Sequence, residues 1–254
     1  MFGRGRFLDA SVEDWHIECW AWLIRNGSDD GLDDFRKTDL VVPMQAFFPP
    51  TNEIGHAKAQ FVFNTVQALA GMKDWPVRLV AQGALPAALS EIAFVIHANN
   101  PCAGTFRYDE DHGIITYDPT LLKRPIGLIA TFAHELGHYL NASFKEPPPD
   151  GWDLVEPATD TTATFMGFGL FGANDSCADY QEFSEDGIPQ IRRGKSGYLT
   201  EAQWIFDLAI FCVLTRTPFE TAKPHLKGHL WKQLQRAGKY VEKRDIASVV
   251  IDNI

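Results

Sequence analysis

The feature that most restricts how this chain can fold is the pentapeptide His134-Glu135-Leu136-Gly137-His138, which lies within an apolar stretch. In an α-helix each residue turns about 100° around the axis, so His138 lies about 40° and Glu135 about 100° from His134. The opposite face is apolar and can pack on a sheet; it carries Ile129, Phe132, Ala133, Leu136 and Leu140. The pattern predicts a helix over about residues 125–141, with Pro125 in the first turn, where its missing N–H costs nothing.

Two imidazoles one helical turn apart can bind the same metal ion, and this spacing favours zinc. The carboxylate of Glu135 can reach an attacking water without binding the metal, and it can pass the proton of that water to a leaving amine. The motif therefore predicts one zinc ion held by His134 and His138, with Glu135 as a general base. Two capped or core histidines beside a surface glutamate are the alternative structural interpretation.

A tetrahedral catalytic zinc site needs a third protein ligand and one open position. A third histidine at the HExxHxxGxxH spacing is excluded, because that position is Phe144. The next predicted helix offers Glu156 and Asp160, which lie one turn apart and face the same way. We assign Glu156 as the third ligand and Asp160 as the carboxylate that orients a ligating histidine. The reverse assignment stays open, because Pro157 places Glu156 at the very start of its helix.

HExxH followed downstream by ExxxD resembles the gluzincins, the thermolysin-type zinc peptidases. The resemblance covers about residues 114–172, and the order of a strand, an active-site helix and a ligand helix is similar as well. It implies the same roles as the residues themselves: His134, His138 and Glu156 as ligands, Glu135 as general base and Asp160 as an orienting carboxylate. A wider pattern, at residues 167–171 and 197–200, resembles a group of small bacterial proteins and implies no substrate.

Hydrophobic periodicity predicts an α+β fold, in which N- and C-terminal helices surround a small mixed sheet. The resemblance implies that the core also contains a zincin-like active-site helix and a ligand helix. We expect a single domain over residues 1–254, with a mainly helical region at 1–72, a metal-site core at 73–175 and a helical region at 176–254. Further helices are predicted at 12–25, 54–69, 199–216 and 219–242, and strands at 76–80, 91–97, 105–108 and 114–117. Residues 174–197 are expected to be irregular, and the tryptophans Trp15, Trp20 and Trp22 to lie in the core.

Composition limits the classes of partner and the cellular location that we expect for this chain. The formal net charge is −10, with 33 acidic residues against 23 lysines and arginines, so a nucleic-acid partner is not expected. The longest apolar stretch is too short to span a membrane and contains Asp207, and the first residues lack the apolar run of a signal peptide. We therefore expect a cytoplasmic protein, in which the four well-separated cysteines are free and mostly buried thiols.

These observations favour a zinc peptidase that hydrolyses peptide bonds in a peptide or protein substrate. The alternative is a zinc-containing protein that binds a peptide or a regulatory protein with little or no turnover; a zinc hydrolase of non-peptide amides or esters is a weaker third interpretation. A peptidase also needs a donor to the oxyanion of its intermediate. Tyr198 is slightly favoured, because it lies between a glycine and a helix start. The other candidates are Tyr139, Tyr180, His97, His112, His225 and Arg193.

Overall fold

The computed structural model describes residues 5–27, 31–83, 103–109, 112–176, 179–183, 189–193 and 197–254. It confirms the predicted α+β class, since helices dominate and a small mixed sheet accompanies them. The chain divides into two compact units. One unit is continuous, Pro43–Ser143, and the other combines Met1–Val42 with Phe144–Ile254.

The continuous unit contains the mixed sheet and the helix with the histidine pair. Its elements are α3 (Gly55–Leu69), β1 (Val77–Ala81), β2 (Gly104–Asp109), β3 (His112–Tyr117), a 3-10 turn (Pro119–Lys123) and α4 (Pro125–Ala142). The strand order is β1-β3-β2; β1 runs parallel and β2 antiparallel to β3. The strands predicted at 76–80, 105–108 and 114–117 and the helix predicted at 125–141 are thereby confirmed. The strand predicted at 91–97 lies outside the described residues.

Aromatic packing fixes α4 within this unit. Phe132 is fully buried and meets Phe63 of α3 edge to face, with 5.3 Å between ring centroids. Tyr139 lies between Trp75 and Phe106, at centroid distances of 4.8 and 5.0 Å. The predicted apolar face is buried at four of its five positions, and Leu140 is only partly buried. The helix is therefore held in one rotational setting, with its histidines off the packed face.

The discontinuous unit is mainly helical. Its elements are α1 (Ala10–Gly27), α2 (Leu32–Phe35), a 3-10 turn (Trp152–Leu154), α5 (Val155–Phe165), α6 (Gly169–Asp175), β4 (Asp179–Phe183), β5 (Pro189–Arg193), α7 (Glu201–Thr215), a 3-10 turn (Phe219–Thr221), α8 (Gly228–Lys243) and α9 (Ile246–Asp252). Helix α7 is buried from Trp204 to Cys212 and at Leu214, and it begins at a capping box formed by Thr200 and Gln203. Trp15, Trp20 and Trp22 of α1 are buried, as predicted.

Two predictions for this unit are wrong. Residues 174–197 are not all irregular, because β4 and β5 pair there as an antiparallel ribbon. The helix predicted at 219–242 begins only at Gly228. Pro224 explains the second error, since a proline inside a helix removes a backbone hydrogen bond and its ring clashes with the preceding turn.

Two further expectations concern membranes and cysteines. Within the part of the chain that the structure describes, no helix combines the length and apolar character needed to cross a bilayer.

Cys19 and Cys212 are free and buried, as expected, and burial raises the pKa of the Cys212 thiol to about 12. Cys102 and Cys177 lie outside the described residues.

Candidate metal centre

Helix α4 places the imidazole rings of His134 and His138 next to each other. The Nε2 atoms of His134 and His138 lie 3.1 Å apart, and their rings stand nearly perpendicular, at 88°. Two ligand atoms bound to tetrahedral zinc at the usual bond lengths lie about 3.3 Å apart. The observed separation therefore fits a shared zinc ion, although a hydrogen bond between one neutral imidazole and the other has a similar length.

Glu135 is directed toward the sheet. Its side chain is buried, with only 3% of the residue exposed. A Cβ atom placed on Gly104, the first residue of β2, would lie 2.8 Å from Oε1 of Glu135. The carboxylate thus fits against β2 because residue 104 has no side chain. Sequence reasoning missed this residue: a glycine at the start of a strand can indicate close approach, but the group that approaches is known only from the fold.

The third predicted ligand, Glu156, lies in the first turn of α5 and is partly buried. One ligand atom from each of His134, His138 and Glu156 lies within 4.8 Å of the others, so these three side chains could hold a metal ion. Among the described residues, no other group of three histidine, cysteine or acidic side chains meets this criterion. Two imidazoles and one carboxylate form a donor set that suits zinc with one position open.

Comparisons with models of known protein families, with curated proteins and with solved structures yield no match. The resemblance to the gluzincins therefore stays a prediction from the motifs.

Asp160 is buried, with 2% exposed, and lies one turn after Glu156 on α5. Its Oδ2 atom accepts the backbone N–H groups of Tyr198 and Leu199, at 2.7 and 3.0 Å. The carboxylate therefore fixes the turn that precedes α7. Orientation of a ligating histidine by Asp160 stays a prediction, and so does the reverse assignment of Asp160 as the ligand.

The oxyanion candidates differ in accessibility. Tyr139 belongs to the aromatic core of its unit, and burial is the main cause that raises the pKa of its phenol. Tyr198 is 41% exposed, and its backbone is held by Asp160. Tyr198 is thus far more accessible to solvent than Tyr139, which is 7% exposed. His97 and the side chains of Tyr180 and Arg193 lie outside the described part of the structure.

Proposed function

We propose that this chain is a zinc-dependent peptidase in which His134, His138 and Glu156 hold one zinc ion. The observation that carries the proposal is the 3.1 Å separation of the two Nε2 atoms on α4. The ligand set is supported by Glu156, which offers a carboxylate oxygen within 4.8 Å of one ring nitrogen of each histidine. We further propose a cytoplasmic location and a peptide or protein substrate.

Each side chain has a separate part in this chemistry. Zinc, when bound, supplies a Lewis acid that polarises a peptide carbonyl and activates water. Glu135 accepts a proton from the water as its oxygen attacks the carbonyl carbon, and it gives that proton to the amine nitrogen as the C–N bond breaks. The products are a carboxylic acid and an amine. Burial of Glu135 beside β2 restricts its side chain, so its carboxylate is held in place before the substrate arrives.

Glu135→Gln separates an enzyme from a binding protein. The variant keeps the size of the side chain and removes the base, so we expect about one zinc per chain by elemental analysis, as in the parent. Turnover should fall by about 10²–10⁴-fold. The measurement is mass-spectrometric detection of new peptide termini after incubation with a broad peptide library, with Glu242→Gln on the exposed face of α8 as a matched control.

Two outcomes would contradict the peptidase assignment. Equal cleavage by the parent and by Glu135→Gln would show that another group is the base or that a contaminant cleaves. A zinc-loaded parent that cleaves no peptide in the library, but captures the same peptide as Glu135→Gln with equal affinity, would favour the binding protein.

A further inference from the structure

The segment that joins α4 to α5 contains three consecutive prolines, Pro147, Pro148 and Pro149. Proline has no backbone N–H, so this segment cannot donate hydrogen bonds of its own at these positions. It also favours the extended polyproline conformation, which leaves its carbonyl groups turned outward as acceptors. At the proline positions the backbone of this segment can therefore take part in hydrogen bonds only through its carbonyl oxygens.

Helix α1 supplies two such donors. The indole N–H of Trp15 donates to the carbonyl of Pro149 at 3.1 Å, and that of Trp22 donates to the carbonyl of Glu146 at 3.2 Å. Both tryptophans are buried, at 8% and 2% exposed. Phe144, two residues before Glu146, packs on the same helix, since its ring meets that of Trp22 edge to face with 5.1 Å between centroids.

The spacings of donors and acceptors match. Seven residues of an α-helix, from Trp15 to Trp22, span about 10.5 Å. Three steps at the rise of an ideal polyproline helix, the separation in sequence of Glu146 and Pro149, span about 9.3 Å. The two segments run in opposite directions, since Trp15 pairs with Pro149 and Trp22 with Glu146, and each indole meets one carbonyl. The stiff linker is thus held at both of its ends along one face of α1.

Little chain separates this linker from Glu156. Asp150 and Gly151 form a turn with positive φ angles of 63° and 92°, and the N–H of Gly151 returns to the carbonyl of Pro148 at 2.9 Å. A 3-10 turn follows, and α5 begins at Val155. The backbone that presents Glu156 therefore continues directly from the segment that α1 holds.

Helix α1 is also tied to α5 beyond Glu156. The buried carboxylate of Asp207 accepts the indole N–H of Trp20 at 2.9 Å through Oδ1, and the hydroxyl of Thr161 at 3.0 Å through Oδ2. Trp20 belongs to α1 and Thr161 to α5. The same helix is thus connected to the chain on both sides of the predicted third ligand.

We infer that Trp15 and Trp22 are positioning residues for the metal ligand Glu156. The inference rests on the proposed function, since it assumes that Glu156 binds the ion. The two indoles hold the linker, the linker sets the start of α5, and the start of α5 sets the direction of the Glu156 carboxylate. Removing the two N–H donors should release the carboxylate and leave the histidine pair on α4 unchanged.

The test removes the donors and keeps aromatic rings in place. Trp15→Phe combined with Trp22→Phe should lower zinc affinity by about 10–100-fold, the loss typical of groups that orient ligands. Affinity is measured by competition with a chromophoric chelator. The cobalt-substituted protein should show an altered visible d–d spectrum, because that spectrum reports the number and geometry of ligands.

Trp204→Phe is the matched control. Trp204 is 4% exposed in the same unit, and its Nε1 atom has no hydrogen-bond partner among the described residues. The same atoms are removed without loss of a donor, so zinc affinity and the cobalt spectrum should stay those of the parent. If the double variant does not fold by circular dichroism, the single variants Trp15→Phe and Trp22→Phe are measured, and each should show part of the loss.

A double-mutant cycle separates positioning from general weakening. In a Glu156→Ala background the tryptophan substitutions should cause no further loss of affinity, because the group that they position is absent. An equal loss in both backgrounds, or no loss in the parent background, would overturn the inference. A parent that binds no zinc, or that binds it equally well after Glu156→Ala, would instead overturn the proposed ligand set.

Discussion

At the scale of single residues, the tightest packing constraint on the candidate site is at Gly104, because a glycine has no side chain. A Cβ atom on Gly104 would lie 2.7 Å from Cγ2 of Thr131, 2.8 Å from Oε1 of Glu135 and 2.9 Å from the carbonyl oxygen of Thr116. The backbone oxygen belongs to β3, which pairs with β2, so it cannot move away without disturbing the hydrogen bonds of the sheet. A methyl group at residue 104 would therefore displace Glu135 or disturb the sheet.

Gly104→Ala should lower both stability and turnover. Overpacking of this kind typically costs about 1–3 kcal/mol in the free energy of unfolding. Turnover should fall further than zinc content, because the displaced group is the proposed base and not a ligand. Urea denaturation, elemental analysis and the peptide cleavage assay measure the three quantities.

Gly228→Ala is the control for this substitution. Nothing described in the structure lies within 4 Å of a Cβ atom at Gly228, which is the first residue of α8. Its stability should match or exceed that of the parent, since alanine favours a helix over glycine. A Gly104→Ala protein that matches the parent in both stability and cleavage would show that Glu135 does not depend on this close approach.

At the scale of elements, α7 shows how an apolar helix accommodates a charged residue. Asp207 is fully buried, and its carboxylate accepts hydrogen bonds from the indole of Trp20 and the hydroxyl of Thr161. Nδ1 of His16 lies 2.8 Å from Oδ1 of Asp207. These contacts connect α1, α5 and α7, so one carboxylate joins three helices of the same unit.

Asp207→Ala should be strongly destabilising. It leaves the buried polar groups of His16, Trp20 and Thr161 without this acceptor, and breaking a buried charged interaction typically costs about 3–5 kcal/mol. The midpoint of urea denaturation measures the loss. Asp252→Ala, on the exposed side of α9, should stay within about 0.5 kcal/mol of the parent. Equal midpoints for the two variants would show that the connection contributes nothing to stability.

The same elements show what could be predicted from the sequence. The helix carrying His134 and His138 was predictable, because both its periodicity and its proline start are local features. The ribbon of β4 and β5 was missed, since the sequence of residues 179–193 gives no alternation of apolar and polar residues. Trp15 and Trp22 were predictable as buried residues, but not as donors to a proline-rich linker more than a hundred positions away. Contacts of that range depend on the packing of distant segments, which no local pattern records.

At the scale of the whole molecule, metal binding and stability should be linked. An ion that binds only the folded chain raises the free energy of unfolding, by about 2.7 kcal/mol when its free concentration is 100 times its dissociation constant. Removal of zinc by a chelator should therefore lower the midpoint of thermal unfolding by about 5–10 °C, and added zinc should restore it.

The His134→Ala, His138→Ala double variant is the control for this linkage. It lacks both imidazole ligands, so its unfolding midpoint should not respond to the chelator or to zinc. Scanning calorimetry of both proteins, with and without zinc, provides the measurement. A parent protein whose midpoint is unchanged by zinc, or a double variant that responds as the parent does, would contradict a stabilising ion at these histidines.

The discontinuity of the larger unit has a consequence for biosynthesis. Helix α1 belongs to the same unit as the chain from Phe144 onward, and about 100 residues of the other unit are translated between them. At the usual elongation rates this interval lasts roughly 5 to 20 seconds. During that time the apolar surface of Trp15, Trp20 and Trp22 leaves the ribosome before its partners exist. These three side chains therefore stay without the native packing that the sequence after Phe144 provides until that part of the chain is synthesised.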